Sequence, residues 1–98
     1  MSRSVFWSRQ ALDDIKQQVQ FIARDNQAAA ERIELKLRQT GESLGLIPTG
    51  RPGRAAGTYE KSVARLPYVI VYALSRLDLD ESVVILRVIH TARDWPPA

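Results

Sequence analysis

His90 is the only histidine of the 98 residues, and histidine alone ordinarily changes charge near neutral pH, with a pKa of about 6.5. It could act as a general base, yet it closes an apolar strand pattern, where a histidine more commonly caps or packs. Arg87 falls between Ile85 and Ile89 on one face of that pattern, and a charge so placed calls for a partner carboxylate, an open groove or a bound ligand. Trp95, just after Arg93 and Asp94, suits an exposed anchor for a partner protein or a cover folded back over the core.

A second cluster is purely electrostatic. Arg51, Arg54, Lys61 and Arg65, opposed only by Glu60, give residues 51–65 a net charge of +3, equal to the excess of the whole chain. Such a stretch is either a solvated face or a surface that steers an acidic partner toward itself. Other chemistries are excluded or disfavoured. With no cysteine there is no disulfide, thiolate metal site or thiol catalysis, and one histidine argues against zinc, so no metal or cofactor is expected. The glycines between Pro48 and Gly57 lack both the G-x-x-x-x-G-K-[ST] pattern and the strand-to-helix setting of a phosphate cradle.

These residues need a scaffold, and 98 residues allow one core, so residues 1–98 are expected to form a single domain. A composition 45% hydrophobic and 26% charged suits a chain that folds in water. No apolar run approaches the roughly 18 to 20 residues of a membrane span, and no secretory signal pattern is evident, so no membrane association and a cytoplasmic location are expected.

Arg3 to Trp7 reads as a strand, with Val5 and Trp7 on one side and Phe6 on the other. Ser8 can cap a helix reaching about Arg24, whose stripe is Leu12, Ile15, Val19 and Ile22. Asp25-Asn26 can cap a second helix with the stripe Ile33, Leu37, Thr40 and Leu44. Gly41 inside it implies close approach to a sheet, and Gly45 before Leu46, Ile47 and Pro48 suits a left-handed helix end. The Pro- and Gly-rich stretch 48–57 predicts turns with no regular element. Thr58 to Leu66 and Val69 to Leu74 form a hairpin around Pro67, and an acidic turn over 78–82 leads into a strand from Val83 to Ile89. The resulting α+β order, β-α-α-β-β-β, packs a helix hairpin on one face of a mainly antiparallel sheet.

Four stretches on that pattern carry a resemblance: Gly50-Arg-Pro-Gly-Arg54, Gly57-Thr58-x-Glu60, Leu66-Pro67-Tyr68-Val-Ile-Val-Tyr72, and Arg87-Val-Ile-His90-x-x-Arg93-Asp94-Trp95-Pro96. Together they resemble the ParE branch of the ParE/RelE superfamily of toxins. The resemblance implies a growth-inhibiting toxin in a hetero-oligomer with a cognate ParD-like antitoxin. ParE-like members poison DNA gyrase, whereas RelE-like members cut messenger RNA on the ribosome.

The branches make different demands. RNA cleavage through the 2′-hydroxyl without a metal needs a base, an acid and cations for the developing phosphorane charge. RelE-like ribonucleases carry two lysines on the strand before the hairpin tyrosine and an arginine directly after it. Aligned at Tyr59 and Tyr68, this chain has Glu60, Ser62 and Val69 there, so three cationic positions are lost and RelE-like chemistry is disfavoured. Other ribonucleases of the superfamily use a glutamate, an arginine and a C-terminal histidine, which Glu60, Arg87 and His90, with Arg93, could supply. On the binding reading no catalytic residue is expected, and Arg51, Arg54, Lys61, Arg65, Arg87, His90, Arg93 and Trp95 are candidates for contact with antitoxin or target.

Overall fold

The computed structural model describes residues 3–77 and 80–93. Along the chain run β1 (Ser4–Trp7), α1 (Arg9–Ala23), α2 (Gln27–Ser43), β2 (Arg51–Pro52), β3 (Tyr59–Ser62), β4 (Tyr68–Leu77) and β5 (Asp80–His90). The five strands form one sheet in the order β1-β5-β4-β3-β2, in which β1 lies parallel to β5 and every other pairing is antiparallel.

Each helix starts where a side chain can accept an otherwise orphaned amide. Ser8 Oγ accepts from Ala11 N at 3.0 Å, and Asn26 Oδ1 accepts from Ala29 N at 2.9 Å. The two helices form the expected hairpin and lie on one face of the sheet. Ala11 and Ile15 of α1, with Leu37 and Leu44 near α2, pack against Tyr68, Ile70, Tyr72, Val83, Ile85 and Val88. Burying each of the larger of these side chains contributes about 1.5 to 3 kcal/mol before chain entropy is counted.

Gly41 shows why α2 can lie so close to the sheet: a Cβ there would stand 2.8 Å from Ile85 Cδ1 and closer still to the Trp7 ring. The expected close approach is therefore present, made against β1 and β5.

Several sequence expectations need correction. The buried face of α1 is Ala11, Asp14, Ile15 and Gln18, while Leu12 is exposed, because two polar side chains on the inner face have partners on β5 and in the turn after it. Gly45 does not adopt a left-handed conformation. The helix instead tightens through Gly45 N to Glu42 O and Leu46 N to Ser43 O, and glycine is needed because a Cβ would meet the Arg3 carbonyl at 2.7 Å. The stretch 48–57 does hold a short strand, since Arg51 and Pro52 pair with Glu60 and Tyr59 at the sheet edge, where a proline is tolerated. β3 ends at Ser62, and the hairpin turns around Arg65, at φ 65°, ahead of Pro67. Part of the acidic turn, Asp78 and Leu79, lies outside the described residues, and β5 already includes Asp80 to Ser82.

Arg87 does not share a strand face with both Ile85 and Ile89. The register shifts between Val71 and Tyr72, so that Tyr72 faces Ile85 while Val71 faces Arg87. Leu86 is the extra residue of a bulge, which breaks the alternation and sets Ile85 and Arg87 on opposite faces. Arg87 shares its face with Ile89 alone of the two isoleucines.

Candidate functional site

The bulge in β5 lies where its neighbour runs out. β1 ends at Trp7, opposite Ile85, and beyond that point the edge groups of β5 turn to the start of α1. Ser8 N donates to Ile85 O at 2.9 Å, and Ser8 Oγ donates to Leu86 O at 3.0 Å. Asp14 Oδ2 then accepts from Val88 N at 2.9 Å. The same carboxylate takes Arg87 in a two-point grip, Nε to Oδ2 at 2.8 Å and Nη2 to Oδ1 at 3.2 Å. Asp14 is 6% exposed, and this guanidinium and amide give its buried oxygens the partners that burial demands. Of the alternatives open to Arg87, the structure shows the partner carboxylate.

Glu60 is also buried, at 5% exposure. Its Oε1 accepts from Arg51 Nη2 at 3.3 Å across the β2–β3 pair, and its Oε2 accepts from the Arg54 amide at 3.1 Å. The carboxylate thus ties the loop between β2 and β3 to the sheet, and the cluster of residues 51–65 divides. Arg51 and Arg54 converge on Glu60, whereas Lys61 and Arg65 lie toward α2 and line hollows beside it.

His90 stands opposite Tyr68, ring edge toward ring face, with centroids 5.1 Å apart at 86°. Its Nδ1 accepts from the amides of Ala92 and Arg93, each at 3.2 Å, and so closes the turn after β5. Arg93 Nη2 donates to Gln18 Oε1, and the Arg93 guanidinium lies 4.3 Å from the Phe21 ring centroid. Trp95 lies outside the described residues.

Glu60, Arg87, His90 and Arg93 therefore do not converge on one point. Glu60 and Arg87 occupy one row of the sheet with Val71 between them, roughly 10 Å apart at the backbone. His90 faces Tyr68 further along, and Arg93 lies against α1. Ser62 is exposed and Val69 is buried on the strands beside Glu60.

One titrating group is perturbed. Tyr72 is buried, stacks on Tyr59 with centroids 5.5 Å apart, and donates its hydroxyl to Thr49 O at 2.7 Å. Burial, and secondarily the neighbouring Tyr59, raise its pKa above the ordinary 10.0. Among the described residues no group of three His, Asp or Glu side chains gathers in a way that could hold a metal ion, and no helix is long and apolar enough to cross a membrane.

Sequence reasoning missed Asp14, Arg32 and Lys36. Asp14 had a usable signal, since Ala11, Asp14, Ile15 and Gln18 follow the spacing of one helix face. Arg32 and Lys36 gain meaning only beside the hairpin that the fold brings to α2.

Comparison with known proteins follows this geometry. Residues 5–95 match the family described as the ParE toxin of the type II toxin-antitoxin system parDE. A Sinorhizobium fredii protein, Y4kP, whose name classes it with toxins, is 35% identical over 98 residues, covering 98% of this chain and 97% of its own length. Toxin RelE2 of Caulobacter vibrioides is 34% identical over 89 residues, covering 91% of this chain and 96% of its own. Among solved structures, the chromosomal ParDE system from P. aeruginosa contains a chain that superposes with a TM-score of 0.80 at 17% identity, covering 91% of this chain and 96% of that one. The YoeB/ParE toxin from Agrobacterium tumefaciens gives a TM-score of 0.52 at 17% identity, covering 89% and 97%. At such identity the last two likenesses speak to fold alone.

Proposed function

The chain belongs to the ParE toxin family of type II toxin-antitoxin systems, and from that premise we propose that it arrests growth by binding DNA gyrase in the cytoplasm, and that a ParD-like antitoxin neutralises it in a hetero-oligomer. Support for a binding toxin comes chiefly from Glu60. It occupies a position where RelE-like ribonucleases carry a lysine, and both its oxygens are engaged by Arg51 and by the Arg54 amide. A buried carboxylate held in this way repels a scissile phosphate and does not neutralise charge on a phosphorane. Arg87 and His90 are likewise engaged within the protein, by Asp14 and by the turn amides.

The test is purified gyrase with supercoiled plasmid and ATP, with and without this protein, followed by detergent and protease. Accumulated linear DNA is the expected result. Unaffected supercoiling refutes the gyrase reading.

A second reading, ribosome-dependent cleavage of messenger RNA, draws on the 34% identity to Toxin RelE2. It requires messenger RNA on programmed ribosomes to be cut by the wild-type protein and spared by His90→Ala. Arg87→Ala does not discriminate, because it strands the buried Asp14.

A further inference from the structure

Six of the fourteen cations meet an anion or a ring among the described residues: Arg3 meets Glu81, Arg9 meets Asp13, Arg38 meets Glu34, Arg51 meets Glu60, Arg87 meets Asp14, and Arg93 lies over Phe21. Along one side of α2 this stops. Two adjoining hollows, of about 360 and 290 Å³, lie between α2 and the β3–β4 hairpin and share Lys36 and Ala64. Arg32 and Lys36 line them from the helix, and Lys61 and Arg65 from the hairpin. Among the described residues none of these four forms an ion pair and no carboxylate lines either hollow. Lys16, Arg24 and Arg76 also have no ion pair among the described residues, but they line neither hollow.

The trough is more than a charged surface. Ile33 and Leu66, both half-buried, form an apolar floor at the Arg32 and Arg65 end. At its other end the lining passes to Gln39, Thr40, Ser43 and Ser62. Arg32 and Lys36 sit four residues apart and so project from one helix face, against their own repulsion. The lining from Ala29 to Ser43 spans roughly 20 Å of helix, the length of three to four turns of a partner helix.

We propose that this trough is the docking site for an acidic amphipathic segment of the antitoxin, which sets one apolar side chain between Ile33 and Leu66 and its carboxylates against Arg32, Lys36, Lys61 and Arg65. This rests on the reading of the chain as an antitoxin-bound toxin. Charge complementarity identifies the occupant as acidic, and the apolar floor favours a peptide over a nucleic acid. A phosphate backbone gains nothing from Ile33 and Leu66, and no aromatic side chain lines the trough for a base to stack on. Arg51, paired with Glu60, and Arg54, whose backbone amide donates to the same carboxylate, line neither hollow.

The experiment begins by selecting, from the source genome, the reading frame that restores growth to cells expressing this chain; that product is the antitoxin used. If the chain does not arrest growth, or no frame restores it, the proposed function itself fails. Given an antitoxin, Arg32→Glu with Lys36→Glu should still arrest growth and unfold within a few degrees of wild type, yet escape rescue. Its affinity for purified antitoxin should fall at least about tenfold. Lysine substitutions at the antitoxin's acidic positions should restore rescue. Should the double variant fail to fold, Arg32→Gln with Lys36→Gln takes its place, with a smaller loss of affinity expected. A folded variant rescued as fully as wild type overturns the proposal. So does a folded variant that no longer arrests growth, since the trough then serves the target. Loss of binding to a labelled 20-nucleotide RNA with rescue intact overturns it in favour of nucleic acid.

Discussion

Arg87 and Lys36 carry the same charge on opposite flanks of one sheet, and their surroundings could hardly differ more. On the α1 flank, Arg87 meets a buried carboxylate that also holds a strand amide. On the α2 flank, Lys36 meets Arg32, Lys61 and Arg65 around an apolar floor, with no anion among the described residues. A charge answered inside the chain contributes to folding, whereas an unanswered one is available to something outside it. The comparison turns on where removing a charge hurts the fold and where it does not.

The largest effect belongs to Asp14. Asp14→Ala leaves Arg87 without its carboxylate and the Val88 amide without an acceptor, which costs about 3 to 5 kcal/mol for a broken buried pair. For a chain of this size each kcal/mol moves the unfolding midpoint by roughly 4 to 8 °C, so thermal unfolding should show a drop of at least about 12 °C, or no folded protein at all. Asp14→Asn keeps an oxygen for Val88 and should fall between. An Asp14→Ala protein that melts with wild type would erase the distinction between the two flanks.

Glu60 decides to which side Arg51 and Arg54 belong. Glu60→Ala should cost about 1 to 3 kcal/mol in urea unfolding, less than Asp14→Ala, because only the Arg54 amide and a largely exposed guanidinium are deprived. Faster hydrogen exchange at the Arg54 amide would localise the loss to the loop between β2 and β3. If stability is unchanged, Glu60 does not hold Arg51 to the sheet and the basic surface is larger than drawn.

Much of this was legible in the sequence, for identifiable reasons. Ser8 and Asn26 announce helix starts because their short oxygens reach the third amide beyond them, and Gly41 announces close packing because nothing larger fits beside Trp7 and Ile85. The sequence alone shows that Arg87 needs a partner. It does not name Asp14 as that partner, because pairing across 73 residues depends on α1 lying over the end of β1, which no local pattern encodes. The bulge at Leu86 was hidden for a similar reason: strict alternation through Ile85, Arg87 and Ile89 is the simplest reading of the sequence, and only the β4 register contradicts it. The cluster 51–65 looked uniform because charge counts ignore direction. The fold points Arg51 toward Glu60 and places Lys61 and Arg65 beside α2.

Tyr72 lies between the flanks, in the row of the sheet that links Tyr59 to Ile85. Tyr72→Phe should cost about 1 kcal/mol at neutral pH through the lost hydrogen bond to Thr49 O. The pH dependence has a fixed sign. The folded pKa is raised, so above about pH 10 the unfolded chain loses the phenolic proton first and folding weakens as pH climbs toward the folded value. The Phe variant lacks this contribution, and its stability should fall less steeply than wild type above pH 10 in urea titrations at successive pH values.

The smallest effect is the most discriminating, because its sign reverses. Lys36→Gln removes a cation that has no ion pair among the described residues and lies four residues from Arg32 on the same helix face. Like charges at that spacing oppose the helix by about 0.2 to 0.5 kcal/mol, and glutamine matches lysine in helix propensity. The substitution should therefore leave stability unchanged or raise it by up to about 0.5 kcal/mol, read as the urea midpoint at low ionic strength, and added salt should shrink the gain by screening the repulsion. On the α1 flank, the equivalent loss of charge at Arg87 strands Asp14 and lowers stability at every ionic strength. A destabilised Lys36→Gln protein would mean that Lys36 has an internal anion after all, and the trough would then be an ordinary part of the fold.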